Sequence, residues 1–265
     1  MASFLRDEQV DNLTISTDRI KQIDQAFMTR SQSVPERVDD HNDPHVYYYN
    51  VIRFDNKGYR IFLLEDLLSY FNQADNIERI LFTLESKDSV TSNRSKGTYM
   101  ELRLDAKSPT NCFIIASSED SDWVDSSFSS IKDILDKCKN KNGIARGAWS
   151  ELSIQLTGVL IGFLISLWAA VTIAPFLEIE NAFFIIFLFV LLIYSNLWTY
   201  INETIHSIVS KTFPPIKFYR PSKDRLQWLW QALVGGTLVA IILFFLNIIF
   251  NAVGRFLSQY LSSGT

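Results

Sequence analysis

The sequence predicts a two-part chain. An α+β cytoplasmic domain, an antiparallel sheet of about five strands with helices, is followed by an α-helical membrane domain of three transmembrane helices. Three observations predict it. First, charge is divided unevenly. The 265 residues carry a net charge of -4, yet residues 1–150 hold 19 of the 25 Lys and Arg and 24 of the 29 Asp and Glu. Second, three uncharged stretches fall in the last 115 residues: Leu152–Leu177, Asn181–Asn202 and Leu226–Gly254. Third, the polar half alternates apolar and polar residues with the period of a half-buried strand. This division excludes a single soluble globule, a disordered chain and a nucleic-acid protein driven by net positive charge.

Residues 1–44 read as an N-terminal helix and a polar linker. Thr17 is placed to cap a helix whose apolar face is Ile20, Ile23 and Phe27. Ser31–Pro44 has loop chemistry, with Pro35 and the run Asp39, Asp40, His41, Asn42, Asp43.

Residues 45–142 read as the α+β domain. Val46–Phe54 is rich in strand formers, Asp55–Gly58 is a hairpin-type turn, and Tyr59–Leu63 pairs back. Leu64–Gln73 is a short helix with Leu64, Leu67, Leu68 and Phe71 on one side. Strands follow at Ile77–Leu84, Thr98–Leu104 and Asn111–Ser117. In the second of these Tyr99, Glu101, Arg103 and Asp105 alternate with Met100, Leu102 and Leu104. Ser121 or Asp122 caps a closing helix along which Val124, Phe128, Ile131, Leu135 and Cys138 recur at helical spacing.

Residues 143–265 read as the membrane domain, with spans of about 152–177, 181–202 and 226–250. A bilayer core needs about 20 apolar residues in a helix, so each is long enough. The N-terminus, with Arg6, Asp7 and Glu8, has no signal-peptide core. Lys137, Lys139, Lys141 and Arg146 precede the first span, and Lys211, Lys217, Arg220, Lys223 and Arg225 lie between the second and third. The turn between the first two holds only Glu178 and Glu180. Positive loops stay inside, so the expected topology is an inner (plasma) membrane protein with a cytoplasmic N-terminus and an outside C-terminus. Trp149, Trp198, Tyr200, Trp228 and Trp230 cluster at the expected cytoplasmic ends, as headgroup-seeking rings do.

Small residues recur four apart on the first span at Gly158, Gly162, Ser166 and Ala170, and on the third at Ala232, Gly236 and Ala240. Such stripes let helix backbones approach closely. Packing of a homo-oligomer and packing among the spans of one chain both account for them. On the third span Asn247, Asn251 and Arg255 share one face near its outer end. A pore lining and an interhelical hydrogen-bond clamp with a snorkelling arginine are both open. No carboxylate or lysine lies at the centre of a span, which argues against an ion-coupled transporter.

Site chemistry is sparse. Cys112 and Cys138 read as core thiols, and no CxxC, HExxH, GxSxG or GxGxxG occurs. Asp39, Asp40, His41, Asp43 and His45 form a ligand-like cluster, but a loop beside Pro44 does not hold both imidazoles on one face, and a solvated linker is the plainer reading. The loop Ser86–Gly97, with Lys87, Arg94 and Lys96, reads as a flexible hairpin loop, and contact with an anionic ligand or lipid is the alternative.

The expectation is therefore a non-enzymatic membrane sensor-effector without a metal or cofactor. Its cytoplasmic domain reads a ligand or partner, and oligomerised spans form a pore or disturb the membrane. Its partners are the lipid bilayer and a second copy or another protein, not nucleic acid. The architecture is similar to that of bacterial membrane-disrupting immunity effectors, which join a small reader domain to a few spans. The alternative is a non-catalytic anchor or docking subunit of a larger membrane complex.

Overall fold

The computed structural model describes residues 3–34, 46–220, 228–237, 239–241, 243–244, 247 and 251. In chain order these form β1 (Phe4–Gln9), β2 (Leu13–Ser16), α1 (Thr17–Ser31), β3 (Val46–Phe54), β4 (Lys57–Ile61), α2 (Leu64–Gln73), β5 (Ile77–Ser86), α3 (Lys87–Thr91), β6 (Tyr99–Asp105), β7 (Phe113–Ser118) and α4 (Ser121–Asp136). A one-turn α5 (Asn142–Ala145) leads to two long apolar helices, α6 (Ala148–Ile173) and α7 (Ala182–Thr212), and β8 (Ile216–Tyr219) follows. The chain divides into two units. One holds the described residues up to Asn142 together with Pro214–Arg220, and the other holds Gly143–Phe213 and the described residues from Trp228.

The first unit is a six-stranded antiparallel sheet of order β1-β7-β6-β5-β3-β4. Alternation decides its two faces. Ile80, Phe82 and Leu84 of β5 and Met100, Leu102 and Leu104 of β6 are buried and meet Ile20, Ile23 and Phe27 of α1, Leu67 and Phe71 of α2, and Phe128 and Ile131 of α4 in one core. The opposite face carries half-exposed Val51, Leu81, Arg103, Phe113 and Ile115.

The sheet exceeds the expected five strands because Phe4–Gln9, read as part of a leader, is an edge strand on β7. All six of its residues are exposed, so no apolar alternation marks it. Its charges instead hold α4: Arg6 pairs with Asp125 at 2.8 Å, and Lys132 pairs with Glu8. Charged edge strands also resist pairing with other chains. Two helix caps move by one residue. Ser16, not Thr17, caps α1 by accepting the Arg19 amide, and Asp120 caps α4 by accepting the amides of Asp122 and Trp123. The ligand-like cluster at Asp39–His45 lies outside the described residues.

In the second unit α6 and α7 form a hairpin, and both are long and apolar enough to cross a membrane. Pro175 sits in the short turn of 3-10 helix that succeeds α6, and Asn181 takes the left-handed conformation before α7. The second helix runs ten residues beyond the expected 202, through Glu203 and His206, because nothing breaks it before Pro214 and Pro215. Of the expected third span, the described part is a shorter apolar helix, Trp228–Ile241. Three transmembrane helices are thus only partly matched.

Beneath the sheet's polar rim, Asp105 is buried and takes Arg79 Nε at 2.7 Å and the amides of Ser108 and Lys107 at 2.9 and 3.0 Å. Burial pushes its carboxyl up, but Arg79 and the two amides outweigh this and hold it below the ordinary aspartate value. A lowered folded-state value means that the stabilisation is complete above the ordinary range and is lost as pH falls through the lowered one. The full chain in detergent should therefore melt progressively earlier in that acid window. Asp105→Asn should cost about 1–3 kcal/mol at neutral pH and show a flatter acid limb.

Candidate functional site

The first unit is completed at a small second sheet. β2 pairs in parallel with β8 from Leu13↔Ile216 to Ser16↔Tyr219. Its other edge meets the chain after α4. The Thr14 amide donates to the Cys138 carbonyl at 2.8 Å, and the Asn140 amide donates to the Asn12 carbonyl at 2.6 Å. Three segments thus share one patch of backbone: an N-terminal strand, the residues leading to α6, and the residues leaving α7. Buried amides and carbonyls must find partners, and here each segment supplies them to the next.

Side chains lock this junction. Asn140 Nδ2 donates to Thr14 Oγ1 at 3.1 Å, and Asn142 Nδ2 donates to the Pro214 carbonyl at 2.9 Å. Leu13, Ile15 and Ile216 are fully or almost fully buried. The Phe218 ring stands edge-on to Phe71 of α2, with centroids 6.2 Å apart. Arg220 donates Nη1 to the Ala74 carbonyl and Nη2 to the Asp75 carbonyl, the latter at 3.0 Å. A cation at the C-terminal end of α2 is where the helix dipole favours one. The sequence reads Arg220 only as a topology charge, whereas it is a buried anchor.

In the helix hairpin the small-residue stripe of α6 has a partner within the chain. Gly158, Gly162, Ser166 and Ala170 are all buried. A methyl group on Gly158 would lie 2.0 Å from Trp198 Cζ2, and one on Gly162 would lie 2.3 Å from Tyr194 Cδ1. Glycine is required at both positions by these rings. Tyr194 Oη also donates to the Gly158 carbonyl at 3.0 Å. Trp198, read as a headgroup ring, is therefore a packing ring of the hairpin. Ala232, Gly236 and Ala240 are exposed, and no atom lies within 4 Å of a methyl group built on Gly236. Asn251 Nδ2 donates to Asn247 Oδ1 at 3.1 Å, so these two do share a face; Arg255 lies outside the described residues.

The loop Ser86–Gly97 contains a short helix and is tied back to the sheet. α3 occupies its first half, and Arg94 turns back to bond Glu85 at 2.5 Å and Glu101 at 2.8 Å. That guanidinium is already neutralised by two carboxylates of the sheet. Gly97, at φ +84°, closes the loop where a side chain would strike the Ser89 amide. The thiols are core groups: burial pushes Cys112 up to about 11 and raises Cys138, so neither is a thiolate at neutral pH. Among the described residues no group of three His, Cys, Asp or Glu is placed to hold a metal ion.

No protein-family model matches the chain, and no curated protein or solved structure matches it.

Two substitutions separate the parts of this site. Phe218→Ala should cost about 3–5 kcal/mol. It should also accelerate hydrogen exchange at the Leu13–Ser16 amides, although Phe218 follows both apolar helices. Gly158→Leu should lower the melting temperature of the detergent-solubilised chain by driving Trp198 off α6.

Proposed function

We propose that the chain is an integral membrane sensor-effector. Its N-terminal unit lies in the cytoplasm and reads a ligand or partner, and its apolar helices, assembled as an oligomer, form a pore or disturb the inner membrane. The observation that carries this reading is the junction of β2, β8 and residues 138–142. A change in the first unit that moves β2 is felt directly by the segment entering α6 and by the segment leaving α7. A plain tether needs only one connection; here the segment before α6 and the segment after α7 both pair within the first unit.

Several features support the membrane part. Most large side chains of the hairpin point outward, with Trp168 70 %, Phe184 63 % and Leu192 66 % exposed, which water disfavours and lipid accepts. The chain leaves the first unit after Asn142 and rejoins it at Pro214, so a pair of crossings returns it to the side it left. The basic residues flanking the hairpin select the cytoplasm as that side. The apolar segment from Trp228 then carries the C-terminus outward. Its exposed face of Ala232, Gly236 and Ala240 is left for a neighbouring copy, and Asn247 and Asn251 supply the polar lining.

A docking subunit is the second reading. It is favoured by the outer face of the sheet, where Val51, Leu81, Phe113 and Ile115 stay half-exposed.

Two measurements test the proposal. A reporter fused after Thr265 should behave as external, and a cytoplasmic signal there overturns the orientation. Induced expression should collapse the membrane potential, and Asn251→Leu should relieve the collapse at equal membrane abundance. Full potential at high expression, with one stoichiometric partner recovered from detergent, selects the docking subunit instead.

A further inference from the structure

The first unit is acidic overall, yet the charged residues lining one groove on it are all cations. It runs between α1 and α4 on the side away from the sheet, with a volume of about 430 Å³. Arg19 and Lys137 stand at one end, Arg30 at the other, and Gln22, Gln25 and Ser130 between them. The eleven helical steps from Arg19 to Arg30 make the groove about 16 Å long along the helix axis. No carboxylate lines it. Arg19 Nη1 is bonded only to Gln22 Oε1, at 2.7 Å, and Arg30 Nη1 only to Ser126 Oγ, at 3.1 Å, so among the described residues both guanidiniums keep their charge uncompensated. Lys137 likewise has no carboxylate partner among the described residues. Elsewhere on the unit Arg6 is paired with Asp125, Arg53 with Glu78, Arg79 with Asp105 and Arg94 with Glu85 and Glu101, while Arg60 lies over the Tyr49 ring.

We infer that this groove binds a phosphoester anion of nucleotide size. Three unneutralised cations set the charge, and guanidinium forks match phosphate oxygens. Glutamine amides and a serine hydroxyl midway offer donors and acceptors to the rest of the molecule, and the volume falls within the range of small-ligand sites.

The position of the cations gives binding a consequence. Arg19 lies three residues beyond Ser16, the last residue of β2, and Lys137 immediately precedes Cys138, whose carbonyl takes the Thr14 amide. An anion held between Arg19 and Lys137 draws together the start of α1 and the end of α4, the two elements that feed the junction. This deepens the sensor reading, on which the consequence for the membrane rests; binding itself does not depend on it.

The test is calorimetric titration of the full chain in phosphatidylcholine nanodiscs with two separate probes. ADP represents a soluble phosphoester, and dihexanoylphosphatidylglycerol represents a lipid headgroup. Saturable binding of either supports the groove if Arg19→Gln/Lys137→Gln weakens it at least about tenfold, roughly 1.4 kcal/mol. Lys21→Gln, an exposed cation off the groove, should leave it unchanged. The probe that binds identifies the source. Binding of neither probe, or equal binding by the double variant with an unchanged melting temperature, overturns the inference. Dye release from vesicles is read separately. Binding without any effect on leakage keeps the groove and removes the sensor-effector coupling, while leakage without binding does the reverse.

Discussion

Everything that ties this chain together passes through four parallel backbone pairs. β2 is too short to be a stable strand by itself, and β8 is equally short. Their stability comes from burial of Leu13, Ile15, Ile216 and Phe218 in the core and from the second edge that residues 138–140 supply. Removing β8 exposes one side of β2 and part of the α2 packing surface. Removing β2 leaves both connectors to the apolar helices unpaired. The antiparallel sheet gives the first unit its bulk, and the junction closes it with the residues that precede α6 and follow α7.

The small-residue stripes illustrate how one pattern serves two ends. On α6 the glycines are filled by Trp198 and Tyr194 of the same chain, and those two rings explain why nothing larger than hydrogen fits. On the segment from Trp228 the same spacing meets open space. Lipid gives helices no hydrophobic reason to associate, so close packing has to come from shape. In the hairpin that shape is complementary within one chain.

Much of this was legible in the sequence. Runs of strand-forming residues located β3, β5 and β7, period-two alternation located β6, and hydropathy located α6 and α7 because their runs are long. β1 escaped because it is exposed on every residue and charged at Arg6, Asp7 and Glu8, so no face is marked. β8 escaped because four residues after two prolines look like a connector, and its pairing with β2 joins positions that no local pattern relates. α7 runs on past the apolar stretch that ends at Asn202, through Glu203 and His206, because a helix stops where its hydrogen bonds stop. The α1–α4 groove was hidden for a different reason. Arg19, Arg30 and Lys137 are ordinary surface cations until the helices are laid side by side, and only then does the absence of carboxylates between them become visible.

The return of the chain at Pro214 has a consequence for biogenesis. When translation has reached Asn142, the first unit has every helix and strand of its main sheet but lacks the strand that covers β2. Ile216 and Phe218 emerge only after both apolar helices have been made. Final closure of the polar unit is therefore postponed until the hairpin has left the ribosome, and a hairpin that fails to reach its proper place drags the missing strand away from its slot. A misplaced hairpin thus leaves the first unit unfinished, with one edge of β2 uncovered.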